Sequence, residues 1–334
     1  MAIVLDAMGS DDYPEPEILA AIELKQKFNE NVILVGKKDL LESKMPVLNP
    51  GNVDLHIVNA PDVVEMTDKP VESARSKPNN SMSIGLTLVK EGKAEAFVTA
   101  GNSGGAYFNA VRTLGRIAGI NRAALCGSIP TRTGHCAFLD TGANVDCRPE
   151  FLLQFAVMGS VYANKVLGVQ SPKVGLLANG EEAGKGNELV KETYPLLLES
   201  GLNFYGNVEP KEVYAGNIDV LVADGFSGNV FLKTSEAVAR FITDLLKEGI
   251  SESFIHKIGY LLAKPAFGVL KTKMDPAEVG AAILLGVDGP VFVGHGHSNA
   301  RALVSAVRLA RKTLDANLIE SMKAEIQERI NQGR

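Results

Sequence analysis

One local pattern returns through the chain: a short apolar run suited to a buried strand, a turn of glycine and small polar residues, and then a helical period. It occurs at 2–6 with Gly9 and Ser10, at 96–99 with Gly101, Gly104 and Gly105, and at 174–177 with Gly180, Gly184 and Gly186. It recurs at 220–223 with Gly225 and Gly228, and at 291–293 with Gly294 and Gly296. Strands alternating with helices predict a mostly parallel sheet covered by helices, a layered α/β/α fold. In open sheets of this class the ligand sits outside the carboxyl ends of the strands. Glycine there lets backbone approach a ligand, and the free amides that open the next helix can meet an anion. One pattern therefore predicts both the layers and the place of the chemistry.

Further strands are expected at 32–36, 53–59, 125–129, 135–139 and 203–205. Helices are expected at 17–28, 38–43, 82–91, 150–166, 188–200, 230–247 and from 300 to about 331. Residues 61–80 read as a loop carrying Lys69, Arg75 and Lys77. At 334 residues and 46% hydrophobic, the chain can bury a core near the upper size of a single domain. We read 1–334 as one large α/β domain.

Charge and cysteine usage exclude several classes. The balance of 34 Lys and Arg against 39 Asp and Glu gives −5, and no long run of one sign marks a nucleic-acid surface. An acidic partner protein would need a local basic patch instead. Cys126, Cys136 and Cys147 are odd in number and lack C-x-x-C spacing, which speaks against a disulfide framework or structural zinc and for a reducing cytoplasm. Met1 runs straight into a strand, so no signal peptide is expected. No apolar run nears the roughly 18 residues of a membrane span.

The turns supply the candidate site. Asp224, Gly225, Ser227 and Asn229 follow one strand, and Asn102 and Ser103 open a helix after another, where they cap it or help its amides hold phosphate. Lys185 lies between Gly184 and Gly186 in the turn that holds Asn179, so its ammonium can reach an anion held by amides. Glycine follows that lysine where a Walker loop has Ser or Thr, which argues against a nucleotide triphosphatase. The last turn holds His295 and His297 without the third glycine of a dinucleotide fingerprint, and with no acid or Cys at close metal spacing. No cofactor and no metal is expected. Arg132 reads as a counter-charge for Asp140 or Asp146. No Ser-His-Asp order, H-E-x-x-H or cysteine nucleophile stands out. The shared property of the turns is anion and oxyanion binding, which suits phosphate as its own nucleophile and an enzyme that contributes position and charge.

Residues 254–270 interleave large apolar side chains, among them Leu261, Leu262 and Phe267, with Lys257 and Lys264. Such a broken amphipathic stretch suits an anionic membrane surface, and equally a dimer or inter-domain contact.

The runs Asp6-Ala7-Met8-Gly9, Ala100-Gly101-Asn102-Ser103-Gly104, Asp140-Thr141-Gly142-Ala143-Asn144, Gly180-Glu181-Glu182 with Lys185-Gly186-Asn187-Glu188, and Asp224-Gly225-Phe226-Ser227-Gly228-Asn229 before Lys233-Thr234-Ser235 together resemble the bacterial phosphate acyltransferase of phospholipid synthesis, the PlsX family. The likeness keeps its order over nearly the whole chain. It implies transfer of a long-chain fatty acyl group from acyl carrier protein to inorganic phosphate, giving acyl phosphate for a downstream glycerol-3-phosphate acyltransferase. It also implies a fold like isocitrate and isopropylmalate dehydrogenases and phosphotransacetylase, and a cytoplasmic homodimer resting on the inner membrane face through a helical protrusion near 250–275. Carried over by motif, Lys185 binds phosphate or assists the departing thiolate, and Asn229 orients the thioester carbonyl. Asn179, Asn102, Ser103, Gly225, Ser227 and His295 are supporting groups, and Leu261, Leu262 and Phe267 the membrane contacts. Ser10, Ala237 and His297 depart from the family pattern, the last leaving the final turn's role open. The rival readings are a phosphotransacylase using short acyl-CoA, a decarboxylating dehydrogenase using a metal and NAD on a related fold, and a membrane-associated scaffold without catalysis.

Overall fold

A computed structural model describes residues 2–274, 277 and 280–331 of the chain. Its strands are β1 (Ile3–Asp6), β2 (Val32–Gly36), β3 (His56–Asn59), β4 (Ala96–Thr99), β5 (Ala124–Pro130), β6 (His135–Leu139), β7 (Val174–Leu177), β8 (Phe204–Val208), β9 (Val220–Val222), β10 (Ala282–Leu285) and β11 (Val291–Val293). They form one sheet in the order β3-β2-β1-β4-β11-β10-β5-β6-β9-β7-β8. β10 runs antiparallel to both β11 and β5, and β5 antiparallel to β6, while every other pairing is parallel.

Strand direction therefore reverses across the middle of the sheet. The carboxyl ends of β1, β4 and β11 point one way and those of β6, β9 and β7 the other. Twist of about 20–25° per strand turns the two halves strongly relative to each other, so neither set of turns faces simply away from the other.

Alternation along the strands explains the layers. Ile3 and Leu5 of β1, Ala96 and Val98 of β4, Ala137 and Leu139 of β6, and Val220 and Val222 of β9 share one cluster that runs under both halves. The intervening residues divide: Val4 and Phe97 enter a second cluster and Phe138 and Leu221 a third. One face is continuous and the other is split. Strands buried on both faces read as unbroken apolar runs, which is why they were legible as strands without polar alternation.

The helices are α1 (Glu15–Phe28), α2 (Lys38–Leu48), α3 (Pro70–Ser76), α4 (Ser81–Lys90), α5 (Ser103–Leu114), α6 (Pro149–Tyr162), α7 (Glu188–Glu199), α8 (Pro210–Ala215), α9 (Gly225–Ser251) and α10 (Phe254–Met274), followed by Ala300–Asp315 and Leu318–Asn331. Arg311 holds the first of this last pair to the sheet, donating to Glu30 and Glu95 at 2.8–2.9 Å. The single C-terminal helix expected from sequence is broken at Asn317, which adopts φ 51°, the left-handed conformation that asparagine tolerates. The helix expected over 150–166 ends at Tyr162 and continues as a π-helical turn, Ala163–Leu167. The expected 61–80 loop contains α3.

Two differences bear on the site. The stretch expected to turn through Gly225–Asn229 before a helix is itself helical, because α9 starts at Gly225 with Asp224 as its cap, accepting from the Ser227 amide at 2.8 Å. The stretch expected to be broken is one helix, α10, with Pro265 inside it. α10 packs back on α9, so the hairpin includes much of α9 as well as the expected 250–275. The side chain of Phe267, an expected membrane contact, lies outside the described residues.

Candidate functional site

Three groups of turns carry the candidate residues, and two of them meet α9. The first joins the ends of β1, β4 and β11. Thr99 donates its hydroxyl to Asp6 Oδ2 at 2.7 Å and accepts from the Gly101 amide at 2.9 Å, and the Asp11 amide donates to Gly296 O at 2.7 Å. Asn102 is fully committed: its Oδ1 accepts from the Gly105 amide at 2.9 Å and its Nδ2 donates to Met66 O at 3.0 Å and Asp68 O at 3.1 Å. It caps α5 and ties down the preceding loop, leaving the exposed Ser103 and the opening amides of α5 to face solvent.

The second group is the turn after β6. The Asp140 carboxylate accepts from the amides of Leu125, Gly142, Ala143 and Asn144 and from Asn144 Nδ2, at 2.7–3.1 Å. Backbone amides, where sequence suggested Arg132, thus meet this buried charge. Burial pushes the Asp140 carboxyl above the usual carboxylate range, and the amides pull it back down in part. Against this turn packs the start of α9. A Cβ at Gly228 would lie 2.0 Å from Asp140 O and one at Gly225 would lie 2.5 Å from Asn144 O. These glycines serve close helix-to-turn packing. That packing sets Asn229 over the turn, 3.3 Å from where a Gly142 Cβ would stand, with its side chain exposed.

The third group follows β7. Asn179 Oδ1 accepts from the Gly186 amide at 2.9 Å, and Asn207, on β8, donates to Glu182 O at 2.9 Å from beneath. These two asparagines hold the loop from which Lys185 projects exposed. Among the described residues the Lys185 ammonium makes no ion pair, and no hydrogen bond joins Lys185 to Asn229.

What links the two ends of the sheet is α9 itself. Its Glu236 stands 3.6 Å from His295 Nε2 on the turn after β11 and 2.8 Å from Lys233. His295 and His297 stack with centroids 5.4 Å apart. Desolvation holds the His295 imidazole below its ordinary pKa; Glu236 opposes this, and Lys233 and His297 add to it. His295 is therefore a neutral donor or acceptor near neutral pH. Glu236 and Asn207 are the two residues whose part in this arrangement the sequence did not reveal. The Lys233-x-x-Glu236 spacing was the available sign of the first, and an asparagine within an apolar strand of the second.

Lys185, Asn229 and Ser103 are exposed donors, of the kind that hold a multiply charged oxyanion and a carbonyl oxygen. Among the described residues no group of three or more His, Cys, Asp or Glu side chains could hold a metal ion. No described helix is long and apolar enough to cross a membrane.

The model of the family described as fatty acid synthesis protein matches residues 1–321. The chain belongs to this family. Similar proteins include one named phosphate acyltransferase from Pelotomaculum thermopropionicum, 43% identical over 98% of this chain and 95% of that one. Another so named, from Elusimicrobium minutum, is 45% identical over 98% of this chain and 96% of that one. Among solved structures, a phosphotransacetylase from Streptococcus pyogenes has TM-score 0.61 at 20% identity, covering 96% of this chain and 94% of that one. A 4-hydroxythreonine-4-phosphate dehydrogenase from Klebsiella pneumoniae has TM-score 0.52 at 13% identity, covering 93% and 98%. These two likenesses are of fold. They agree with the layered α/β architecture and with the expected likeness of fold to a phosphotransacetylase, and they add a dehydrogenase of another kind than the isocitrate and isopropylmalate enzymes.

Proposed function

We propose that the protein is a phosphate acyltransferase that moves a long-chain fatty acyl group from acyl carrier protein to inorganic phosphate. The observation that carries this reading is the family's relatives of that name, above 40% identical along nearly the whole chain. The site supports it by offering exposed, uncommitted donors. A phosphate oxygen attacks the thioester carbonyl carbon, the carbonyl oxygen takes up negative charge, and the carbon–sulfur bond then breaks. The thiolate leaves on the carrier and takes a proton from solvent, and the acyl phosphate departs. Asn229 donates to the developing oxyanion. Lys185 pairs with phosphate or with the leaving sulfur, on a loop held by Asn179 and Asn207. Ser103, Ser227 and His295 complete the phosphate shell, Gly225, whose amide donates to Asn144 O at 2.7 Å, seats α9 on its turn, and Asn102 fixes the geometry of the α5 start. Positioning and charge are the terms such a transfer needs.

The test is incubation with phosphate and palmitoyl carrier protein, with acyl phosphate trapped by hydroxylamine. Hydroxamate that depends on phosphate is expected; none from any long-chain carrier thioester would overturn the reading. Product from short acyl-CoA alone would favour a phosphotransacylase, for which the solved structures give support of fold and no more.

The α9–α10 hairpin supports two further parts of this proposal, a homodimer and a peripheral membrane contact at the inner face, where the product meets a glycerol-3-phosphate acyltransferase. Leu261 and Leu262 are 67% and 80% exposed, beside the exposed Lys257 and Lys264. Apolar side chains with nearby cations suit an anionic lipid surface.

A further inference from the structure

Beside the turn that carries Asp140 lies a cavity of about 790 Å³ lined by Arg116, Arg122 and Arg148, with Asp146, Glu150 and Phe151. The arginines come from two separate segments, one leading into β5 and one opening α6, which the Asn144 Nδ2 bond to Ala123 O at 2.7 Å ties together. All three are exposed. Among the described residues none of them makes an ion pair, although Asp146 and Glu150 share the lining. Arg116 donates to Asn121 O, and Arg122 stands 5.8 Å from the Phe151 ring centroid, so both guanidinium groups are held by neutral partners. Their charge is left for something else.

In a chain of net charge −5, three unpaired arginines around one concavity are a local exception. One wall of the cavity, Asp146–Arg148, follows directly in sequence on the turn against which Asn229 packs. We propose that this arginine-lined cavity is the docking surface for the acidic carrier protein that delivers the acyl thioester, an inference that rests on the acyl-transfer reading above. Guanidinium forks match carboxylates in pairs, and a complementary charged rim steers encounter and fixes register. Docking beside Asn229 places the carrier's thioester arm at the edge of the site, with the acyl chain leading.

The experiment compares the wild-type protein with a variant carrying Arg116→Glu, Arg122→Glu and Arg148→Glu, on palmitoyl carrier protein and on the uncharged N-acetylcysteamine thioester of the same acyl group. The KM for carrier thioester should rise roughly tenfold or more, and the effect should shrink as salt screens it. The rate with the small thioester and the KM for phosphate should stay at wild-type values. Single Arg→Gln variants give the same trend in smaller steps if the triple variant folds poorly. Lys44→Glu, on α2 far along the sheet, should change nothing. An unmoved carrier KM, or an equal effect of Lys44→Glu, would overturn the proposal. A rise in phosphate KM without one for the carrier would also overturn it and make the cavity a small-anion site. Hydroxamate from neither thioester with the wild-type protein would strike the acyl-transfer reading itself, a result distinct from a failure of docking.

Discussion

Lys185 and Asn229 are exposed polar side chains left without a protein partner among the described residues, while Asn102, Asn179 and Asn207 spend their amides on backbone. Lys185→Ala and Asn229→Ala are each expected to lower kcat about 100-fold, the usual cost of removing one oxyanion donor, with melting temperature unchanged because both are exposed. Wild-type rates in both would remove their assigned roles. Glu17 presents a different case. Its carboxyl is buried and pushed up to about 7 from 4.5, by desolvation first and slightly by Asp6, against hydrogen bonds from Ser10. The folded state therefore holds that proton more tightly than the unfolded chain. Its stabilising contribution is full below about pH 4.5 and is lost as pH rises through about 7, by roughly 3 kcal/mol. Glu17→Gln should flatten the fall in urea midpoint between pH 5 and pH 7.5; an unchanged slope would show that Glu17 does not titrate in that range. The exposed place of Lys185 on its turn was legible because glycines on both sides mark a turn. Glu236 was not, since its partner His295 lies 59 positions away and no local period links them. Asn102 read as cap or as phosphate ligand, with the glycines after Ser103 tilting toward the ligand, and its hydrogen bond from the Gly105 amide makes it the cap.

At the scale of elements, α9 does two tasks with one geometry: its first turn packs on the β6 turn and its outer length presents apolar side chains. Gly228→Ala drives a methyl into the carbonyl of Asp140, and overpacking of this kind costs about 3 kcal/mol. Urea denaturation should show that loss, together with lower activity as Asn229 moves off its turn. On the same hairpin, Leu261→Glu should abolish flotation with anionic liposomes and spare solution turnover; unchanged flotation would leave these side chains to a contact between copies of the chain. The fully buried strands were read nearly to the residue because burial on both faces leaves them almost no polar positions, whereas the partly exposed β3 and β8 were each off by three residues at one end. β10 was missed although Gly280 and Gly286 flank it, since four apolar residues fit strand or helix equally. The start of α9 was misread because glycine near a strand end is a turn signal by propensity, and here tertiary contact with the 140–144 backbone selects it inside a helix.

Across the whole molecule, the buried cluster shared by β1, β4, β6 and β9 runs under both halves of the sheet. A single cooperative unfolding transition is therefore expected in calorimetry, with calorimetric and van't Hoff enthalpies in agreement. Two resolved transitions would show that the halves hold themselves up separately. Alternating strands and helices announced the layers, but the reversal of strand direction was hidden. It depends on which distant strands pair, and pairing leaves no local mark in strands that are apolar throughout.

The position of β10 and β11 between β4 and β5 has a bearing on how the molecule is made. β4 and β5 each keep an unpaired edge until residues 282–293 have been synthesised. At 5–20 residues per second that interval is on the order of ten to thirty seconds. For that time the growing chain displays two open strand edges on one side of an apolar sheet, the state most open to wrong pairing with another nascent copy. A protein assembled from its middle last depends on the ribosome finishing its work.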